Sequence, residues 1–206
     1  MTAINRRQFL LITTASILTA CSNSKKSTKI AKGSTVVALG DSLTAGHGAN
    51  IAYPTVLQEL TGWQVVNHGV SGDTSADVLN RLPETLSLNP KLVLFGIGGN
   101  DFLRKVAENE TKQNIITTIQ QLKNKGIATV LIAEPHFTVS ALFGRFQDHP
   151  MYEEIARQEN IPLASDLWSD ILSDNSLKSD QIHANDAGYR QFAEKLAQFL
   201  KQQGLL

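Results

Sequence analysis

Thr35-Val36-Val37-Ala38-Leu39-Gly40-Asp41-Ser42-Leu43 is the stretch around which the chain is read. Its first five residues form a short apolar run, the pattern of a buried strand. Thr44-Ala45-Gly46-His47-Gly48 follows as a small-residue turn. A serine just past a strand end, flanked by glycines, can be held on a sharp turn with its hydroxyl exposed. Such a hydroxyl is a poor nucleophile unless a base lies within hydrogen-bond reach and donors await the oxyanion. The rest of the sequence is read for those parts.

Outward from Ser42, the pattern is β-α, repeated about five times. Tyr53–Leu60 reads as a helix with Pro54 in its first turn and Thr61-Gly62 at its end. Trp63–Asn67 alternates as a second strand, and a turn follows over Gly69–Asp73. From Thr74 a helix begins, with Pro83 expected to break it or open a new turn. Leu92–Ile97 is a continuous apolar run, as in a central parallel strand covered on both faces. Ile115, Ile116, Ile119 and Leu122 form one helical stripe ended by Gly126.

Ala128–Ile132 is a fourth strand, and Glu134–Pro150 is a long loop. Met151–Asn160 is a helix, Ile161-Pro162-Leu163 starts a short fifth strand, and Leu167–Leu172 is a short helix. Ser173–Ala184 is loop, after which Asn185 caps a final helix ending near Gln203. Alternation of this kind predicts an open parallel sheet with helices on both faces. Ligands then bind beyond the carboxyl ends of the strands, where Ser42, Gly72 and Asn100 all fall.

Composition bounds the chemistry. With 206 residues, 42% of them hydrophobic and 18% charged, the chain suits one globular domain rather than disorder. A formal net charge of zero offers no bulk attraction for nucleic acid. One cysteine excludes an internal disulfide, and the five histidines lack zinc-ligand spacing, so a Cys/His zinc site is not expected. Gly96-Ile97-Gly98-Gly99 lacks the full dinucleotide pattern, and no phosphate-loop lysine follows. A monomer is the default expectation.

Residues 1–20 read as a signal peptide rather than fold. Arg6 and Arg7 head an apolar run from Phe9 to Ala20, too short to span a bilayer comfortably. Leu18-Thr19-Ala20-Cys21 resembles a bacterial lipobox, which implies cleavage before Cys21 and lipidation of its thiol. A plain secretory signal with a stray thiol is the alternative. Arg6-Arg7-Gln8-Phe9-Leu10 also resembles a twin-arginine export signal. Removing residues 1–20 takes away two arginines and no acid, leaving 17 basic against 19 acidic residues. Residues 21–33, rich in Ser, Lys and Thr after the cysteine, are expected to be a tether, and residues 34–206 the domain. The expected location is the periplasmic side of the cell envelope, on a lipid anchor.

Asp180-Gln181-Ile182-His183 offers a base with an acceptor to orient it. At i and i+3 in a helical turn both side chains share a face, so Asp180 could fix the His183 tautomer and leave the other nitrogen for Ser42. The same pair could instead only cap the last helix. Candidate oxyanion donors are the Ser42 N–H, a backbone N–H at Gly72 and the Asn100 amide. Gly72 could otherwise serve a positive-φ turn, and Asn100-Asp101 a helix cap. Asp41 and Asp73 are expected to orient turns, and Trp63 and Trp168 to pack the core or rim. His47, five residues past Ser42, could line the site but is read first as a surface or helix-start residue; His68, His136 and His149 are read as loop residues, with His136 on the active rim.

Gly40-Asp41-Ser42-Leu43, Gly72 in Ser71-Gly72-Asp73-Thr74, Gly98-Gly99-Asn100-Asp101 and Asp180-x-x-His183 resemble, in order, the four blocks of SGNH (GDSL-type) hydrolases. The resemblance spans roughly residues 34–200. It implies Ser42 as nucleophile, Gly72 and Asn100 as oxyanion donors, His183 as base and Asp180 as its partner. It also implies a flavodoxin-like three-layer α/β/α fold with a five-stranded parallel sheet of order 2-1-3-4-5, and no cofactor or metal. The wording of the blocks is similar to the thioesterase I/lysophospholipase/arylesterase branch. The loop from Glu134 to His149 departs from that branch and could shape the acyl or alcohol pocket. The implied activity is hydrolysis of small to medium acyl esters, thioesters or lysophospholipids through an acyl-enzyme. An O-acetylesterase acting on envelope polysaccharide and a catalytically silent binding lipoprotein are the rival expectations.

Overall fold

A computed structural model describes residues 29–136 and 145–206. The expected signal peptide, Cys21 and most of the tether lie outside these residues, as do Phe137 and Phe143-Gly144 of the long loop. Five parallel strands form one sheet in the order β2-β1-β3-β4-β5. They are β1 (Thr35–Gly40), β2 (Gln64–Gly69), β3 (Leu92–Gly96), β4 (Ala128–Ile132) and β5 (Leu163–Ala164). The flavodoxin-like expectation is met in strand number, direction and order.

Alternation along β1 assigns the layers. Val36 and Ala38 face one core with Leu92, Leu94, Val130 and Ile132. Helices α2 (Tyr53–Thr61), α7 (Leu167–Ser173) and α8 (Asp186–Gln202) cover it through Tyr53, Trp168 and Phe192. Val37 and Leu39 face the other core with Val93 and Phe95. There α3 (Ser75–Ser87), α5 (Glu108–Asn124) and α6 (Met151–Glu159) contribute Val78, Ile119 and Ile155. The expected packing role of Trp63 and Trp168 holds, since both are buried in the first core. Single-turn helices α1 (Ser42–Ala45) and α4 (Gly99–Leu103) sit at the carboxyl rim after β1 and β3. Among the described residues, no helix is long and apolar enough to cross a membrane.

Three expectations need correction. The α3 helix runs through Pro83 without a break. Pro83 lies on the exposed face while Leu82 and Thr85 are buried, so burial on the other side carries the helix past the lost hydrogen bond. His68 is a strand residue of β2, its Nδ1 2.7 Å from Thr85 Oγ1. The tether also ends earlier than Gly33. Ile30 is buried, its N–H donates to the Leu205 carbonyl at 2.8 Å, and its carbonyl accepts from Trp63 Nε1 at 3.2 Å. One apolar residue in a polar stretch was enough to dock the chain, because its side chain joins the core that holds Trp63 and Leu205 and leaves water.

Ile30→Ala is expected to cost about 2 kcal/mol in urea unfolding, as a truncated buried aliphatic does. A change within about 0.5 kcal/mol, the usual range for exposed positions, would restore the longer tether.

Candidate active site

Ser42 opens α1, and Asp41 caps it by accepting the Leu43 N–H at 3.0 Å. The turn is sharp because β1 ends in a residue without a side chain. A Cβ on Gly40 would stand 2.2 Å from the Gly96 carbonyl and 2.4 Å from Thr44 Oγ1. On the far side, Tyr189 of α8 donates its hydroxyl to the His47 carbonyl at 3.0 Å and lies 3.4 Å from that of Ser42. The serine is thus fixed between the sheet and the last helix.

His183 and Asp180 meet Ser42 from the loop before α8. Ser42 Oγ is 3.0 Å from His183 Nε2, and His183 Nδ1 is 2.8 Å from Asp180 Oδ2. An ionised carboxylate only accepts, so Nδ1 carries the proton and Nε2 is left to accept from the serine hydroxyl. Burial raises the Asp180 carboxyl. The ring hydrogen bond from His183 and the N–H groups of Ile182 and His183 outweigh it and hold the group below its ordinary range. Both N–H groups donate to Asp180 Oδ1 at 2.8 Å. The segment is a bent loop closed by a Lys178–Ala184 bridge, not the helical turn expected from the i, i+3 spacing. The aspartate bends the backbone with one oxygen and holds the ring with the other.

Asn100 lies on α4 and borders the same small cavity as Ser42 and His183. Its Nδ2 donates to Asp41 Oδ2 at 3.1 Å and to the Asp73 carbonyl at 3.0 Å. Both amide hydrogens are therefore engaged within the protein. Gly72, at φ +90°, sits on the neighbouring turn, where its N–H has no acceptor among the described residues. It does not border that cavity. Asp41 and Asp73 orient turns, as expected, and among the described residues neither hydrogen-bonds Ser42 Oγ.

Sequence reading missed the groups beneath the rim. Arg81 donates to Asp73 at 2.5 Å and to the Gly40 carbonyl at 2.9 Å, joining two rim turns. Buried Asp101 accepts the Ser75 N–H at 2.8 Å and Thr111 Oγ1 at 3.1 Å. Buried Glu134 accepts the Gly99 N–H on Oε2 at 2.7 Å, while Oε1 has no hydrogen-bond partner among the described residues. Burial pushes Asp41 up to about 7, with Asp73 and Asp101 adding to the rise. Burial, then the nearby Asp41, pushes Glu134 well above its ordinary range. His47 is exposed, as expected, and its ring centroid lies 4.4 Å from that of His183. His136 and His149 pack against Phe102 instead. A groove of about 1050 Å³ lies at the opposite, amino end of the strands and holds none of these residues.

A parallel five-stranded sheet of this order, with a hydroxyl, imidazole and carboxylate in line at its carboxyl rim, defines a class of α/β hydrolases. The chain belongs to the GDSL-like Lipase/Acylhydrolase family, whose model matches residues 38–191. It is 32% identical over 168 residues to thioesterase 1/protease 1/lysophospholipase L1 of Escherichia coli K12, covering 76% of this chain and 78% of that one. It is 28% identical over 180 residues to an arylesterase of Vibrio mimicus, covering 80% and 87%. Among solved structures, TesA superposes with a TM-score of 0.72 at 28% identity, over 82% of this chain and 99% of that one.

Glu134 gives a test with a definite sign. A carboxyl whose folded pKa is raised stabilises most below its unfolded value, ordinarily near 4.5, and loses that contribution as pH rises toward the folded one. Thermal melts from about pH 4.5 upward should therefore show the parent losing stability relative to Glu134→Gln, by at most about 1.4 kcal/mol per pH unit. Parallel curves would show that Glu134 is ionised in the folded protein.

Proposed function

We propose that the protein is a serine esterase. The alignment of Ser42 Oγ, His183 and Asp180 at 3.0 and 2.8 Å carries this reading. Ser42 attacks an ester or thioester carbonyl while Nε2 takes its proton, and Asp180 stabilises the imidazolium that forms. The leaving alcohol or thiol receives that proton, and an acyl-enzyme remains. Water, deprotonated by the same nitrogen, then releases the acid. The Ser42 N–H, the Gly72 N–H and Asn100 serve the oxyanion. One Asn100 hydrogen must turn from Asp41 or from the Asp73 carbonyl to do so.

The family and the named relatives support small to medium acyl esters, thioesters or lysophospholipids as substrates. A lipid on Cys21 would place the domain at the periplasmic face of an envelope membrane, within reach of lysolipid. The Leu18–Cys21 motif supports that placement. All of the proposed machinery comes from one chain, which supports a monomer. A second reading, removal of acetyl groups from envelope polysaccharide, is favoured by one observation. The cavity beside Ser42 holds only about 20 Å³, close to the size of one water or methyl group.

Ser42→Ala is expected to abolish p-nitrophenyl ester hydrolysis and fluorophosphonate labelling while the thermal midpoint stays within a degree or two. Retained turnover would exclude Ser42 as nucleophile. Asn100→Ala should lower kcat by about 10²–10³, the usual loss for one oxyanion donor. A series of esters of rising acyl length separates the two substrate readings: activity confined to acetate favours the glycan esterase.

A further inference from the structure

His47 is not needed for the proposed ester hydrolysis, yet it stands beside the base. It follows the nucleophile turn, and its N–H donates to the Ser42 carbonyl at 3.0 Å. Its carbonyl is held by Tyr189. Gly48, next in the chain, packs so closely on the opposite loop that a Cβ there would lie 2.0 Å from Ser179 Oγ. Asn50 and Ile51 donate their N–H groups to Asp186 at 2.6 and 3.2 Å, tying the same loop to the start of α8. The backbone of His47 is therefore locked against the segment that carries Asp180 and His183.

The side chains then converge. One ligand atom from each of His47, Asp180 and His183 lies within 4.8 Å of the other two. The two imidazole rings are tilted by 45°. His47 and Asp180 are exposed, so the cluster opens to solvent. Two imidazoles and a carboxylate with an open fourth position suit a borderline-soft divalent cation. Around tetrahedral zinc with bonds of about 2.1 Å, ligand atoms stand about 3.4 Å apart. Small side-chain movements would close the present cluster to that size.

We propose that His47, Asp180 and His183 form an inhibitory zinc site laid across the base. The ion binds the three side chains and competes with the proton that catalysis must move. If it takes His183 Nε2, the lone pair that receives the serine proton is occupied. If it takes Nδ1, the ring proton is confined to Nε2 and Asp180 no longer holds the ring. Either way Ser42 keeps its proton and turnover stops. Binding stands on the geometry alone, whereas inhibition rests on the serine-esterase reading.

The test separates the two. Zinc chloride is titrated calorimetrically into the untagged Ser42→Ala chain. One ion per chain is expected, with affinity falling as the solution is made more acidic, because protons and metal compete for the same ligand atoms. His47→Gln in the same background should weaken binding by about tenfold or more, at least what loss of a supporting partner costs a metal site. Its unchanged melt would show that folding is intact. In the active chain, zinc should inhibit ester hydrolysis reversibly, with EDTA restoring the rate. His47→Gln should raise the half-inhibitory concentration by the same factor, whatever its basal rate. No zinc uptake, or equal affinity in the His47→Gln chain, overturns the proposal. Zinc bound with the expected loss in His47→Gln, in a chain that hydrolyses no ester, leaves the site standing and refutes the esterase reading.

Discussion

β1 is hydrogen-bonded along both edges, and its last residue, Gly40, is level with Gly69 of β2 and Gly96 of β3. Parallel pairing sends every strand out of the sheet at the same end, and this register sets the common level. Three turns therefore begin at one height, and whatever polar groups they carry meet at one rim. Ser42, the turn at Gly72 and Asn100 owe their proximity to that register. A one-residue slip of β3 would move Asn100 by about 3.3 Å and exchange its buried face for the other.

The fourth segment arrives differently. Asp180 and His183 follow no strand of the sheet, and their loop is positioned by α8. Asn185 caps that helix through the Gly188 N–H and also donates to the carbonyls of Ser176 and Lys178. Tyr189, one turn into the helix, reaches the carbonyls on the nucleophile side. The imidazole is thus referenced to the same helix that steadies Ser42. Rigid elements, rather than the loop itself, set the Oγ–Nε2 distance.

Legibility in the sequence follows from how local each cause is. The strands were readable because strands buried on both faces are apolar without interruption, as Leu92–Phe95 shows. Ser42, Asn100 and His183 were readable because each lies in a short motif beside a turn. The backbone at Asp180 was not, since i, i+3 spacing fits a helical turn and an aspartate-bent loop equally well. Pro83 was misjudged because tertiary burial of Leu82 and Thr85 overrides a local penalty. His47 and His183 are far apart in the chain, and no spacing rule can see a contact made by a fold. The role of Glu134 was hidden for the same reason, its partner Gly99 belonging to another strand's turn.

Below the rim, apolar packing gives way to carboxyl groups. Asp41, Asp101 and Glu134 are almost wholly buried, and they accept main-chain N–H groups from Leu43, Ser75 and Gly99 respectively. Hydrophobic contact would serve stability better, for burying acids close together is costly, as the raised Asp41 and Glu134 record. Hydrophobic contact, however, is not directional. A hydrogen bond fixes both a distance and an angle. The rim turns that begin at Asp41, Ser75 and Gly99 are aimed by such bonds, and Asp41 holds the Asn100 amide with its second oxygen. Stability is given up beneath the site because the chemistry proposed for it needs turns held in fixed orientation, which apolar packing alone cannot supply.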